Sequence, residues 1–86
     1  MSFSAWKTRA VVKLMQMKKK YAGTELGGEI DQLIARLKRL RARDLHSFLA
    51  AVSALSERAP EVLEIVPREE EVERWLGERK GGERGG

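Results

Sequence analysis

Six residues near the start of the chain, Phe3, Trp6, Ala10, Leu14, Met17 and Tyr21, fall on one narrow arc when successive residues are turned by about 100°. Val11 and Met15 widen the arc on one side, and Lys7, Arg9, Lys13, Lys18, Lys19 and Lys20 take most of the remaining circumference. A segment patterned in this way buries its apolar atoms only as a helix laid against a partner surface. The pattern predicts a first helix from Ser4 to Lys20, capped by Ser4 or Ser2. Lysines in its last turn suit the negative end of the helix dipole, and Gly23 supplies the stop.

The same period governs the rest of the chain. Gly27-Gly28 is costly inside a helix, so Thr24 to Gly28 reads as a loop. A second helix then begins near Glu29, with Glu29 and Asp31 in its first turn. Its apolar face is Ile30, Leu33, Ile34, Leu37 and Leu40, spaced three and four as in a bundle seam. The stretch IARLKRLRARDLHSFLAAV, Ile34 to Val52, changes from arginine-rich to nearly uncharged at Asp44. With no Gly or Pro there, one long helix through Asp44 is the alternative, but aspartate is a good cap and a weak interior residue, which favours a turn at Ala42–Asp44 and a third helix from Leu45 to Arg58. That third helix carries Leu45, Phe48, Leu49, Val52 and Leu55 on a broad face. Ser47, Ala50, Ala51 and Ala54 form a small-residue side, which predicts neighbours on both sides. Pro60 opens a short helical segment to Val66. After Pro67, three glutamates lead a last helix with Val72, Trp75 and Leu76 as its stripe and Gly77 as its end. The glycine-rich stretch ERKGGERGG, 78–86, reads as a disordered tail.

No segment alternates with period two, so the expected fold is all-α: a small helical bundle of three main helices plus a short C-terminal helix. Residues 1–77 form a single domain, followed by the tail over 78–86. At 86 residues the chain buries a modest share of its surface, so self-association or a larger protein partner is expected. No apolar run has the length of a membrane span. A secretory signal is interrupted by Lys13 and Gln16. The N-terminal segment has no acid before Glu25, as transit peptides do, but it is richer in lysine than arginine and poor in serine. The expected setting is the cytoplasm. Absence of asparagine with abundant Glu, Arg and Lys predicts a thermophilic source.

Charge is divided unevenly. Residues 1–43 hold eleven Lys and Arg against three Asp and Glu, a balance of +8; residues 44–86 hold six against ten, a balance of −4. Such asymmetry marks a polyanion partner or two halves that attract one another. Arg36, Arg39 and Arg43 recur along one side of the second helix, flanked by Lys38 and Arg41, and Lys18, Lys19 and Lys20 form a second patch. These six, Lys18, Lys19, Lys20, Arg36, Arg39 and Arg43, are the candidate nucleic-acid-binding residues, for DNA or RNA, through phosphate contact and with weak sequence preference. Trp6, Leu33, Leu37, Leu40 and Trp75 are the candidate interface residues, since large apolar side chains on helices anchor contacts between proteins.

Catalytic chemistry is hard to assemble from this sequence. There is no cysteine, His46 is the lone histidine, and Gly27-Gly28 lacks the lysine and hydroxyl residue of a phosphate-binding loop. Nucleophilic catalysis needs a base beside a serine, and Ser47, Ser53 and Ser56 sit on the third helix, where small polar residues usually serve packing. The expectation is a non-catalytic nucleic-acid-associated accessory or regulatory protein without cofactor or metal. The second expectation is a protein–protein adaptor or small structural subunit with no nucleic-acid contact. A third, an interfacial helix on a membrane surface, rests on Phe3, Trp6 and the lysines of the first helix.

Overall fold

The computed structural model describes the backbone of residues 1–85 and the side chains of residues 1–77. Its elements are α1 (Phe3–Lys20), α2 (Glu25–Lys38), α3 (Leu45–Ser56) and α4 (Glu69–Gly85), with 3₁₀ segments at Ala42–Asp44 and Pro60–Ile65. Among the described residues there is no strand, and the fold is all-α. The helical backbone continues through Gly77, where the sequence predicts a stop. The disorder expected over 78–86 falls on residues whose side chains lie outside the described ones.

Ser2 caps α1: its backbone is extended and its Oγ accepts a hydrogen bond from the Ala5 N–H at 3.1 Å. The helix ends at Tyr21, and Gly23, with φ of +81°, turns the chain back. That conformation is strained for any residue with a Cβ. The expected loop at Thr24–Gly28 and the expected start near Glu29 are both corrected here. Thr24 is the cap of α2, its Oγ1 accepting from the Gly27 N–H at 3.2 Å and donating to the Tyr21 carbonyl at 2.6 Å. The glycine pair therefore sits within the first turns of α2. A Cβ on Gly27 would lie 2.5 Å from the Tyr21 carbonyl oxygen, so a bare backbone is what lets α2 start against the end of α1.

At the other end of α2, the predicted break before α3 is present. Arg39 closes α2, and the chain crosses the 3₁₀ turn into α3 at Leu45. Asp44 occupies the cap position without a side-chain cap bond; the Ser47 hydroxyl donates to its carbonyl instead, at 3.0 Å. Lys7, reaching across from α1, supplies what the end of α2 lacks. Its ammonium donates to the Leu40 carbonyl at 2.9 Å and to the Lys38 carbonyl at 3.4 Å. A cation on the last carbonyls of a helix satisfies unpaired acceptors and opposes the dipole favourably.

The predicted apolar faces make one core. It combines Trp6, Ala10, Leu14 and Met17 of α1 with Ile30, Leu33, Ile34 and Leu37 of α2 and Leu45, Phe48, Val52 and Leu55 of α3. Leu40 at the bend, Ala59 before the second 3₁₀ segment, Val62 and Ile65 within it, and Val72 and Trp75 of α4 complete it. The small side of α3 is largely a correction: Ser47, Ala50 and Ala54 are exposed, and of the four only Ala51 is half-buried against the core.

Trp6 is where the elements meet. Its ring lies 5.8 Å from Phe3, 6.3 Å from Phe48 edge-on, and 5.7 Å from Trp75. Its indole N–H donates to the Ile65 carbonyl at 2.7 Å. The Trp75 N–H donates to the Met1 carbonyl at 3.0 Å, tying α4 to the start of the chain.

Candidate nucleic-acid interface

The exposed carbonyls at the end of one helix and the bend that follows decide where cations gather. Leu40 is buried and pins the bend between α2 and α3 to the core. Its neighbours are thereby turned outward: Lys38, Arg39, Arg41 and Arg43 are all exposed. Among the described residues, Lys38, Arg39 and Arg41 have no carboxylate within ion-pair distance. Arg43 has only the loose contact of its Nε with Asp44 at 3.9 Å. Because Lys7 already serves the helix-end carbonyls, these four side chains are not needed there.

The six residues singled out from the sequence do not make one wall. α2 ends at Lys38, so Arg36, Arg39 and Arg43 do not run along a single helix: Arg36 belongs to α2, Arg39 closes it, and Arg43 belongs to the 3₁₀ turn. Arg36 lies with its guanidinium 5.7 Å from the Phe48 ring centre, covering the edge of the core. The lysine patch is largely paired within the chain. Lys18 bonds Asp31 at 2.7 Å, and Lys20 bonds Glu61 at 2.5 Å, while Lys19 is exposed. Lys13 pairs with Glu64 at 2.5 Å. Two of these bridges join the basic first half to the acidic second half, so part of the charge asymmetry is spent inside the fold. Lys38 and Arg41, named in the sequence only as flanks, stand with Arg39 and Arg43 at the bend.

The five expected interface residues are also corrected. Trp6, Leu33, Leu37, Leu40 and Trp75 are each 7% exposed or less and fill the chain's own core. Large apolar side chains that do face outward among the described residues are Met1 ahead of α1, Val12 and Met15 on α1 (52% and 50% exposed), Leu63 in the second 3₁₀ segment and Val66 just after it. Met15, expected to widen the buried arc of the first helix, is therefore half exposed instead.

Glu61 is the most perturbed acid among the described residues. The Lys20 ammonium, its own backbone N–H and the Tyr21 hydroxyl, which donates at 3.0 Å, hold its carboxyl at about 2 against an ordinary 4.5. Lys20 is raised in return by its bond to Glu61. A depressed carboxyl pKa means the contribution is complete above the unfolded value and is lost as pH falls through the folded one. The melting-temperature gap between the parent and Glu61→Gln should therefore be steady near pH 7, shrink below about 4.5 and vanish near 2. A gap that stays constant across that range would show that the carboxylate charge contributes nothing. The cluster lies at the surface, so high salt should narrow the gap at neutral pH as well.

His46 is exposed at the start of α3, and the Ser56 hydroxyl donates to the Ser53 carbonyl at 2.6 Å. Among the described residues, no three His, Cys, Asp or Glu side chains are grouped to hold a metal ion. No helix among them is long and apolar enough to cross a membrane. No protein-family model, curated protein or solved structure matches the chain.

Proposed function

We propose that the chain is a non-catalytic nucleic-acid-associated accessory or regulatory protein that grips phosphate backbone at the bend between α2 and α3. The observation that carries this reading is the run of exposed Lys38, Arg39, Arg41 and Arg43 around buried Leu40, with Asp44 the one carboxylate within ion-pair distance of them among the described residues. Cations presented by a rigid bend neutralise phosphates and release condensed counterions, a mechanism that needs no base-reading code. Weak sequence preference follows, for DNA or RNA alike. Of the residues chosen from the sequence, Arg39 and Arg43 stay in the site. Lys19 is a peripheral contact, and Lys18, Lys20 and Arg36 give way to Lys38 and Arg41. A cytoplasmic setting in a thermophilic cell belongs to the same reading.

Four engaged phosphates give a log–log salt slope of about −3.6 on duplex DNA. Replacing Arg39, Arg41 and Arg43 together with glutamine should bring the slope to about −0.9, with the melting temperature nearly unchanged, since all three side chains are exposed. Absence of binding at low salt to duplex and single strands, or a slope indifferent to the three substitutions, would remove the proposal.

A second reading, an adaptor or structural subunit or a homo-oligomer, is favoured by Val12 and Met15, neighbours three residues apart on the outer face of α1. Val12→Glu with Met15→Glu should dissociate any such assembly, and light scattering reads the mass before and after.

A further inference from the structure

We propose that the groove between α1 and the Ile65–Arg68 connection binds a small amphiphilic anion, a carboxylate or phosphate carried on an apolar body. The groove has a volume of about 520 Å³, within the range usual for small-molecule sites, roughly 300–1,000 Å³. One side is Arg9, Ala10 and Lys13 of α1, and the other is Ile65 to Arg68 and Glu71. The apolar wall is braced: Pro67 has a fixed φ, and the bond from the Trp6 indole to the Ile65 carbonyl ties the connection to α1. Val66, 42% exposed, offers the wall its open apolar surface.

The charge of the lining is what selects the ligand. Both carboxylates there are already engaged, Glu64 with Lys13 and Glu71 with the Met1 amine and with Arg74. Arg9 and Arg68 come from different elements, line the same groove, and have no carboxylate within ion-pair distance among the described residues. Two guanidinium groups in a groove whose lining carboxylates are both engaged make a site for an oxyanion, which each can bind through paired N–H donors. The adjacent wall favours an apolar body on that anion.

Titration calorimetry with octanoate and octyl phosphate tests this, with octanol and inorganic phosphate as probes lacking one half of the ligand. Saturable binding of either amphiphilic anion, at least tenfold tighter than both half-probes, is the expected result, and the tighter of the two identifies the headgroup. Arg9→Gln and Arg68→Gln should each weaken that binding about tenfold, the loss of one charge-assisted contact. Both side chains are exposed, so the variants should melt with the parent; Arg9→Lys and Arg68→Lys, which keep charge without the paired donors, should fall in between. Octanol binding as tightly as octanoate, or glutamine variants indistinguishable from the parent, overturns the proposal. The triple substitution at Arg39, Arg41 and Arg43 should leave octanoate binding intact, so the groove and the nucleic-acid reading stand or fall separately.

Discussion

Trp6→Ala should lower the melting temperature by roughly 12–40 °C, the largest effect expected of any single substitution in this chain. Removal of a buried tryptophan costs about 3–5 kcal/mol, through lost apolar burial and the cavity left behind. In a domain of this size each kcal/mol is worth roughly 4–8 °C. The upper part of the range applies because the Trp6 ring contacts Phe3 on its own helix, Phe48 of α3 and Trp75 of α4. No neighbouring side chain can fill the gap without breaking its own contacts. The substitution also strips the Ile65 carbonyl of its indole donor. Trp6→Phe separates the two effects, since it keeps most of the ring volume but not the N–H. It should cost about 1–3 kcal/mol, the range for an orphaned buried acceptor. Thermal melts followed by circular dichroism measure both. A shift of only a few degrees for Trp6→Ala would mean that α4 and the second 3₁₀ segment are not held by this residue.

The second large effect is a difference between neighbours. Gly28→Ala should stabilise by up to about 1 kcal/mol, because an alanine in a helix is favoured over glycine and a Cβ there meets nothing within 4 Å. Gly27→Ala gains the same propensity but sets its Cβ 2.5 Å from the Tyr21 carbonyl oxygen. That oxygen is backbone and already accepts from the Thr24 N–H and hydroxyl, so it cannot move aside cheaply. The expected net cost is about 1–3 kcal/mol, the usual scale for overpacking a close contact. Chemical denaturation of the two variants gives the comparison directly. Equal shifts of the same sign would show that α2 does not start against Tyr21.

The glycine pair also shows where sequence reasoning stops. Entropy alone makes Gly27-Gly28 a loop signal, and only the partner across the turn turns the first glycine into a requirement of helix packing. The apolar arcs of α1, α2 and α3, the break at Ala42–Asp44 and the glutamates leading α4 were legible because each depends on residues close in sequence. Periodicity identifies a face that must be covered, but not what covers it. Trp6 and Trp75 therefore resembled anchors for another protein when they are anchors for each other. The lysine patch failed for a related reason: Lys20 finds Glu61 forty-one positions away, a pairing that no local count of charges reveals. At the bend, helical periodicity put Arg36, Arg39 and Arg43 on one helix side, because the buried Leu40 that ends the helix and turns Lys38, Arg39, Arg41 and Arg43 outward was counted as part of an apolar face.

The indole of Trp6 is made early in synthesis, yet its hydrogen-bond acceptor lies fifty-nine residues later and its ring partner in α4 later still. The α1–α2 hairpin can close as soon as its turn has been translated, since its contacts are short in sequence. It must then persist with one flank uncovered until α3 and the segments beyond it arrive. A chain halted near residue 44, before α3, would display that apolar flank to solvent, open to association with its own kind. Assembly order, and not only final packing, thus bears on how much of this protein a cell can keep in solution.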